Sequence, residues 1–221
     1  MNNSLKNEEK KFWNDLNMVS YFGSKPADPR VEARLNLVVD IKNKKALDLG
    51  CGGGRHTELL LKLGFETHAC DVNPEMIRAT KTRISDLGSA TIVEGTMLDI
   101  PFPDEYFDVV VTTGVLHQAK SHQEYERAIG ELNRVTKLGA VVSLNIFTNK
   151  VWDDTYVPVD DEAYTVVTAE GLWMTILPRE EFCRLMRDKG FVLEDGWIED
   201  SKQENTGPRA VFRANFVKIL G

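Results

Sequence analysis

The sequence has no apolar run approaching the roughly 18 to 20 uninterrupted residues that a membrane-spanning helix needs, which excludes a helical span. Its start, "MNNSLKNEEKKFWNDL", lacks the apolar segment and small-residue cleavage site of a secretory leader, so a cytoplasmic location is expected. Cysteine is scarce: Cys51, Cys70 and Cys183 form an odd set without C-x-x-C spacing. Neither a disulfide framework nor a zinc knuckle is indicated, and free thiols with no metal are expected. Basic charge is also short, with 27 Lys and Arg against 34 Asp and Glu and a formal net charge of −7. Counterion release rewards clustered cations, so nucleic acid is disfavoured as a partner. Internal repeats and low-complexity tracts are absent, and nothing in the chain sets an oligomeric state.

What remains is an ordinary globular composition with an α/β rhythm. At 221 residues a single domain over 1–221 is the default. From Lys44 onward, short β-rich runs alternate with helical ones, as βαβ units do. "KALDLG" is the first expected strand, "RHTELLLKL" the first core helix, and "ETHACDV" a second strand ending at Asp71. Pro74 opens the next helix, as a first-turn proline should. "ATIVE" and "YFDVVVTTG" are further strands, "SHQEYERAIGELNRVTK" a long helix, and "AVVSLNIF" a strand apolar enough for burial on both faces. Residues 148–177 then lack clear periodicity, and loops that long are usually lids, binding segments or disordered; the aromatics here argue against disorder. "PREEFCRLMRDKGF" is a helix, and "VLEDGWIE" with "RAVFRANFVKIL" predicts an antiparallel hairpin across a "DSKQENTGP" loop. Before the core, residues 1–43 suggest a cap of two helices, "EEKKFWNDL" and "DPRVEARLNLVVDI", separated by a turn-rich "YFGSKPADP".

The densest signal is "ALDLGCGGG" at 46–54. A glycine-rich turn after the first strand of an α/β sheet brings a ligand against the main chain at the carboxyl edge. In the dinucleotide fingerprint G-x-G-x-x-G the third glycine would fall at Arg55, and Asp48 would repel a pyrophosphate, so a nicotinamide-dependent oxidoreductase conflicts with the pattern. A carboxylate at 48 suits either a ligand with a cationic end or the backbone donors of the turn itself.

These residues resemble the class I S-adenosylmethionine-dependent methyltransferases, in particular the small-molecule enzymes similar to those of quinone biosynthesis. "LDLGCGGG" matches their first motif, "CDVNPEMI" the second, "GTMLDIPFPDEYFDVVV" the third and fourth strand region, and "TTGVLHQ" the edge near the methyl group. The resemblance is strong over about 44–147 and moderate over the late helix and hairpin. It implies a Rossmann-like doubly wound, seven-stranded, mostly parallel sheet with an antiparallel C-terminal hairpin, plus the N-terminal helical cap. It also implies S-adenosylmethionine as cofactor. Gly50, Cys51 and Gly52 would let its methionine part lie on the main chain, with Asp48 near its amino group. Asp71 would accept from the ribose hydroxyls. Val72 and Met76 would flank the adenine, Thr96, Met97 and Leu98 would meet its amino group, and Thr113 would line the strand-end edge. Thr96 stands where relatives commonly have aspartate, and "KLGA" at 137–140 departs from the usual proline-glycine-glycine turn.

The reaction implied is an in-line methyl transfer to an O or N nucleophile of a small molecule, in which alignment in a dry pocket does most of the catalysis. A base helps a hydroxyl or protonated amine, and His117 is the candidate because it follows the fourth strand and titrates near neutrality; a pocket-wall role is its alternative. Tyr21, Phe22, Trp152, Tyr156 and Trp173 are the expected substrate cover, with 148–177 as a lid. Trp13 and Trp197 are assigned to packing. A protein methyltransferase and a noncatalytic cofactor-binding module share every motif and remain alternatives.

Overall fold

The structure is a computed structural model describing residues 12–13, 15–204 and 207–220. Of the first expected N-terminal helix, residues 8–11 and 14 lie outside the described residues. The chain then forms α1 (Leu16–Ser24), capped where the Asp15 carboxylate accepts the Asn17 N–H at 2.7 Å, and α2 (Pro29–Leu35), capped in the same way by Asp28. The helix α1 corrects the sequence expectation of a turn over 21–29: the cap at Asp15 starts it, and it carries Tyr21 and Phe22 before ending at Ser24.

The core follows as β1 (Lys45–Leu49), α3 (Arg55–Leu63), β2 (Glu66–Asp71), α4 (Pro74–Arg83), β3 (Thr91–Glu94), β4 (Phe107–Thr113), α5 (His122–Val135) and β5 (Thr136–Thr148). Short 3₁₀ turns cover Ile41–Asn43 and Leu116–Gln118. After β5 come β6 (Val157–Pro158), β7 (Thr165–Val167), β8 (Trp173–Thr175), α6 (Arg179–Asp188), β9 (Phe191–Leu193), β10 (Ile198–Glu204) and β11 (Gly207–Lys218).

The main sheet runs β10-β11-β5-β4-β1-β2-β3, with β9 pairing the far end of β11. The strands β3, β2, β1, β4 and β5 are parallel, and β11 lies antiparallel between β5 and β10, so the doubly wound sheet and its C-terminal hairpin are both as the sequence predicts. Two details differ. The polar "SKQE" is the end of β10 rather than loop, its register with β11 running from Ile198↔Arg213 to Glu204↔Gly207. "KLGA" is the irregular start of β5, with Gly139 at φ 79° beside a register shift against β4.

Alternation along the strands sends Leu47, Val110 and Val142 to a core with Tyr125, Leu132 and Phe182 of α5 and α6. Their neighbours Ala46, Val109 and Val111 face Val31, Leu35, Leu59 and Leu60 of α2 and α3. Helices on both faces leave the carboxyl ends of the parallel strands as the open edge, and the chain reverses direction of winding between β1 and β4, where such sheets bind ligands.

Residues 148–177 are not aperiodic. They contain a three-stranded antiparallel sheet, β6-β7-β8, with its own apolar cluster of Tyr156, Val166, Met174 and Ile176 packed on Phe147. Its strands are only two or three residues long, too short for a period to register in the sequence.

Candidate active site

A cleft of about 1700 Å³ opens at the carboxyl edge. One end is made by the β1–α3 turn and the end of β2. Gly50 and Gly52 line it, at φ 69° and 52°, and a β-carbon on Gly52 would project into open space, so the main chain is bare to a ligand there. Gly53 has a different reason to be glycine. A side chain there would overlap the Gly23 backbone and come within 2.7 Å of the Phe22 carbonyl carbon, so α1 sits directly on the turn. The Arg83 guanidinium holds that contact by donating to the carbonyls of Gly23 and Lys25 at 2.9 and 3.0 Å.

Asp71, at the end of β2, lines the cleft and accepts the Gly52 and Asn73 N–H groups at 2.9 Å each, one on each oxygen. Burial raises its pKa, and these backbone donors pull the other way. Asp48 is placed differently from the sequence expectation. It is 2 % exposed, does not line the cleft, and its carboxylate accepts the Thr57 hydroxyl at 2.7 Å at the start of α3. Burial pushes it up to about 6, opposed by the Thr57 bonds. Its work is to brace the turn from behind, the second of the two roles open to it. Cys51 is likewise buried behind the turn, where its sulfur accepts from the Thr80 hydroxyl at 3.5 Å.

Val72, Met76, Thr96, Met97 and Leu98 all face the cleft beside Asp71. Val72 is exposed at its lip and Met76 is buried. The Thr96 hydroxyl oxygen accepts the Leu98 N–H at 3.3 Å, closing a small turn.

Beyond the turn the floor is the sheet itself. Thr113, Asn145, Arg213 and Ile198 stand opposite one another across β4, β5, β11 and β10, and Phe147, Val211 and Asp200 form the next row. Arg213 is ion-paired to Asp200 and lies 3.8 Å from Asp28. Tyr21 and Phe22 from α1 and Trp173 from β8 face this space. Trp152 and Tyr156 do not. Trp152 is 45 % exposed on the outside of the insertion, edge-on to Tyr156 at 5.5 Å. Tyr156 is buried under the guanidinium of Arg209, 4.9 Å from its ring, while Arg209 also pairs with Asp153 at 3.4 Å. Both aromatics hold the insertion together.

His117, in the 3₁₀ turn after β4, lines the cleft at 3 % exposure. Its ring stacks on Phe147 with centroids 4.0 Å apart, and Nδ1 accepts the Phe147 N–H at 3.3 Å. Burial, helped by the charge of Arg209, pushes it down to about 3. With Nδ1 already accepting, the neutral ring carries its proton on Nε2. This geometry argues against the general-base role expected from the sequence: one nitrogen is engaged and the other is a donor.

Sequence reading missed Asn145, Phe147, Arg55 and Arg213. The first two had a signal, since residues two apart at the carboxyl end of a strand share a face at the binding edge. Arg213 had none, because it reaches the cleft only through the antiparallel return of β11.

Residues 47–144 match the methyltransferase domain family. An uncharacterized methyltransferase of Anoxybacillus flavithermus is 30% identical over 140 residues, covering 63% of this chain and 60% of that protein. The ubiquinone/menaquinone biosynthesis C-methyltransferase UbiE of Burkholderia cenocepacia is 36% identical over 116 residues, 49% of this chain and 45% of its own. The chain thus spans roughly half the length of the curated relatives it matches. A crystal structure of a SAM-dependent methyltransferase from Methanosarcina mazei superposes with a TM-score of 0.75 at 23% identity, covering 89% of this chain and 100% of that one. These likenesses make residues 47–144 similar to the methyltransferase domain family, and the sheet order is the fold of the Methanosarcina mazei structure. The edge built by Gly50, Gly52 and Asp71 has the bare main chain and strand-end carboxylate that the resemblance to S-adenosylmethionine-dependent methyltransferases calls for.

Proposed function

We propose that the protein methylates a small-molecule acceptor held over the β5–β11 floor. The observation that carries this reading is the cleft's size and continuity. Sites for one drug-sized ligand run to about 300–1,000 Å³, so about 1700 Å³ leaves a chamber for a second small molecule beside the cofactor. Among the described residues no helix is long and apolar enough to cross a membrane. The name of the Burkholderia relative, a quinone-biosynthesis enzyme, supports an acceptor of small-molecule size.

In this reading Asp71 accepts from the ribose, Val72 and Met76 flank the adenine, and Thr96, Met97 and Leu98 meet its amino group. Bound S-adenosylmethionine supplies an electrophilic methyl group; the chain's own residues align the acceptor and keep water out. Tyr21, Phe22 and Trp173 cover the acceptor, and His117 donates a hydrogen bond from Nε2 to an acceptor oxygen instead of removing a proton. The test of function is to incubate the purified protein with metabolite extracts and S-adenosylmethionine and to look for a mass gain of one methyl group. No methylated product from any small-molecule fraction would count against it.

Two predictions separate the residue roles. Trp173→Ala is expected to lower turnover about tenfold or more with cofactor affinity kept, since it removes acceptor alignment. Trp152→Ala, on the outer surface, should leave turnover near wild type. Equal losses in the two variants would return Trp152 to the chamber. For His117, a base with an ordinary pKa gives a rate limb near about pH 6.5, whereas a ring depressed to about 3 stays neutral throughout the usual assay range. The pH–rate profile of His117→Gln should therefore parallel that of the wild type at a lower level. Loss of a limb near neutrality in the variant would restore the base.

A further inference from the structure

Two floor residues carry hydrogen-bonding groups that the fold leaves open. Arg213 of β11 and Asn145 of β5 stand directly opposite each other, and both line the cleft. The Arg213 side chain is 12 % exposed, yet among the described residues only its Nη1 makes a hydrogen bond, to Asp200. Its Nε lies 3.8 Å from the Asp28 carboxylate, beyond hydrogen-bond reach, and among the described residues Nη2 has no acceptor. The half-buried Asn145 amide neither donates nor accepts among the described residues. The charges around this pair do not balance. Arg213, Arg30 and Lys202 line the cleft against Asp28 and Asp200, which leaves one positive charge there in a chain of net charge −7. Arg30 donates to the Gly196 carbonyl at 3.4 Å, and Lys202 is exposed on β10 two residues after Asp200. Among the described residues neither is ion-paired.

We infer that Arg213 and Asn145 anchor a carboxylate of the methyl acceptor, so that the substrate is an organic acid. The inference rests on the reading that this floor receives a small-molecule acceptor. A guanidinium fork with two open nitrogens, joined by the amide N–H groups of Asn145, offers several donors to the two oxygens of a carboxylate. One carboxylate also brings the local charge to neutrality, whereas a phosphate dianion would reverse it. Excess positive charge lining a cleft raises the local concentration of anions. Neighbouring strands lie about 4.8 Å apart, so Arg213 on β11 is two strands, about 10 Å, from the end of β4 beside the glycine turn. The anchored carboxylate is therefore not the group that is methylated. The nucleophile lies elsewhere on the acceptor, nearer the end of β4.

The test separates a metabolite extract on an anion exchanger at neutral pH and incubates each fraction with the protein and S-adenosylmethionine. The product, recognised by its mass gain of one methyl group, is expected from the retained fraction. It should itself be retained, and it should couple to an amine with a carbodiimide, as a free carboxylate does. Asn145→Asp and Arg213→Met should each raise KM for that acceptor about tenfold to a hundredfold, the range for hydrogen bonds to a charged group. Both should keep the wild-type affinity for S-adenosylhomocysteine, which shows by calorimetry that they are folded. Asn145→Asp is isosteric and leaves Asp200 and Asp28 with their guanidinium, so it stands if the methionine variant fails to fold. Arg213→Lys, which keeps the charge without the fork, should fall between wild type and methionine. A product confined to the unretained fraction, a retained product that takes no amine, or an unchanged KM in either variant would overturn the carboxylate anchor and leave small-molecule methyl transfer intact. No methylated product from any fraction would remove the proposed function and the anchor with it.

Discussion

Asp71→Ala is expected to weaken S-adenosylhomocysteine binding by about 1.5–3 kcal/mol, roughly 10- to 150-fold, the value of hydrogen bonds to a charged group. The carboxylate has two tasks. Each oxygen already accepts one backbone N–H, from Gly52 or Asn73, so the side chain fixes the glycine turn against the end of β2. In the proposed reading each oxygen also keeps a lone pair for a ribose hydroxyl of the cofactor. Alanine removes both and leaves two N–H groups without their acceptor. Asp71→Asn separates the tasks, since one amide oxygen can still hold one backbone donor but the charge is gone; it should fall between wild type and alanine. Calorimetric titration of folded variants checks the order, and an alanine variant with wild-type affinity would end the ribose assignment.

The largest effect on stability is expected at Phe182. Its ring is fully buried, with centroids 6.0 Å from Tyr125, 6.2 Å from Phe212 and 5.8 Å from Phe216, so one side chain of α6 joins α5 to β11. Deleting such a ring costs about 3–5 kcal/mol through lost transfer energy and an incompletely collapsed cavity. Net stabilities are about 5–15 kcal/mol, so the variant should unfold at a much lower urea midpoint. Phe182 does not line the cleft, and the folded fraction should bind cofactor normally. A cost below about 1 kcal/mol would mean that the surrounding rings close the space, contrary to the packing seen.

These two positions also show what the sequence discloses. The Asp71 strand end and the Phe182 helix were readable because they depend on local order: apolar alternation, a first-turn proline, an amphipathic repeat. The helix α3 runs over Arg55–Leu63 as its pattern predicts. What escaped was decided by partners distant in the chain. Gly53 reads as part of a ligand cradle, yet its neighbour is Gly23. Asp48 reads as a ligand for a cation, yet Thr57 takes it. His117 looks like a base until the Phe147 N–H is found on Nδ1. Arg209, a charged residue in a strand, gives no sign that it lies buried over Tyr156. Spacing tells which residues share a face, and it is silent on which hydrogen-bonding capacity is already spent.

The insertion begins and ends at one place. The Asn149 N–H donates to the Leu177 carbonyl at 3.3 Å, so the whole excursion leaves β5 and returns to the start of α6 through a closed neck. Inside that neck the Thr175 hydroxyl donates to the Ala119 carbonyl at 2.8 Å, next to the turn that carries His117. Loop-closure entropy grows only slowly with length, so a fixed neck tolerates changes in the length of the excursion, provided that Asp153 and Tyr156 still partner the buried Arg209 of β11. Residues 149–177 therefore behave as a cassette. Grafting another sequence between the same two backbone ends, with Asp153, Tyr156 and Thr175 kept, is expected to alter the acceptor admitted over Phe147 and to leave the Gly50–Asp71 edge as it is.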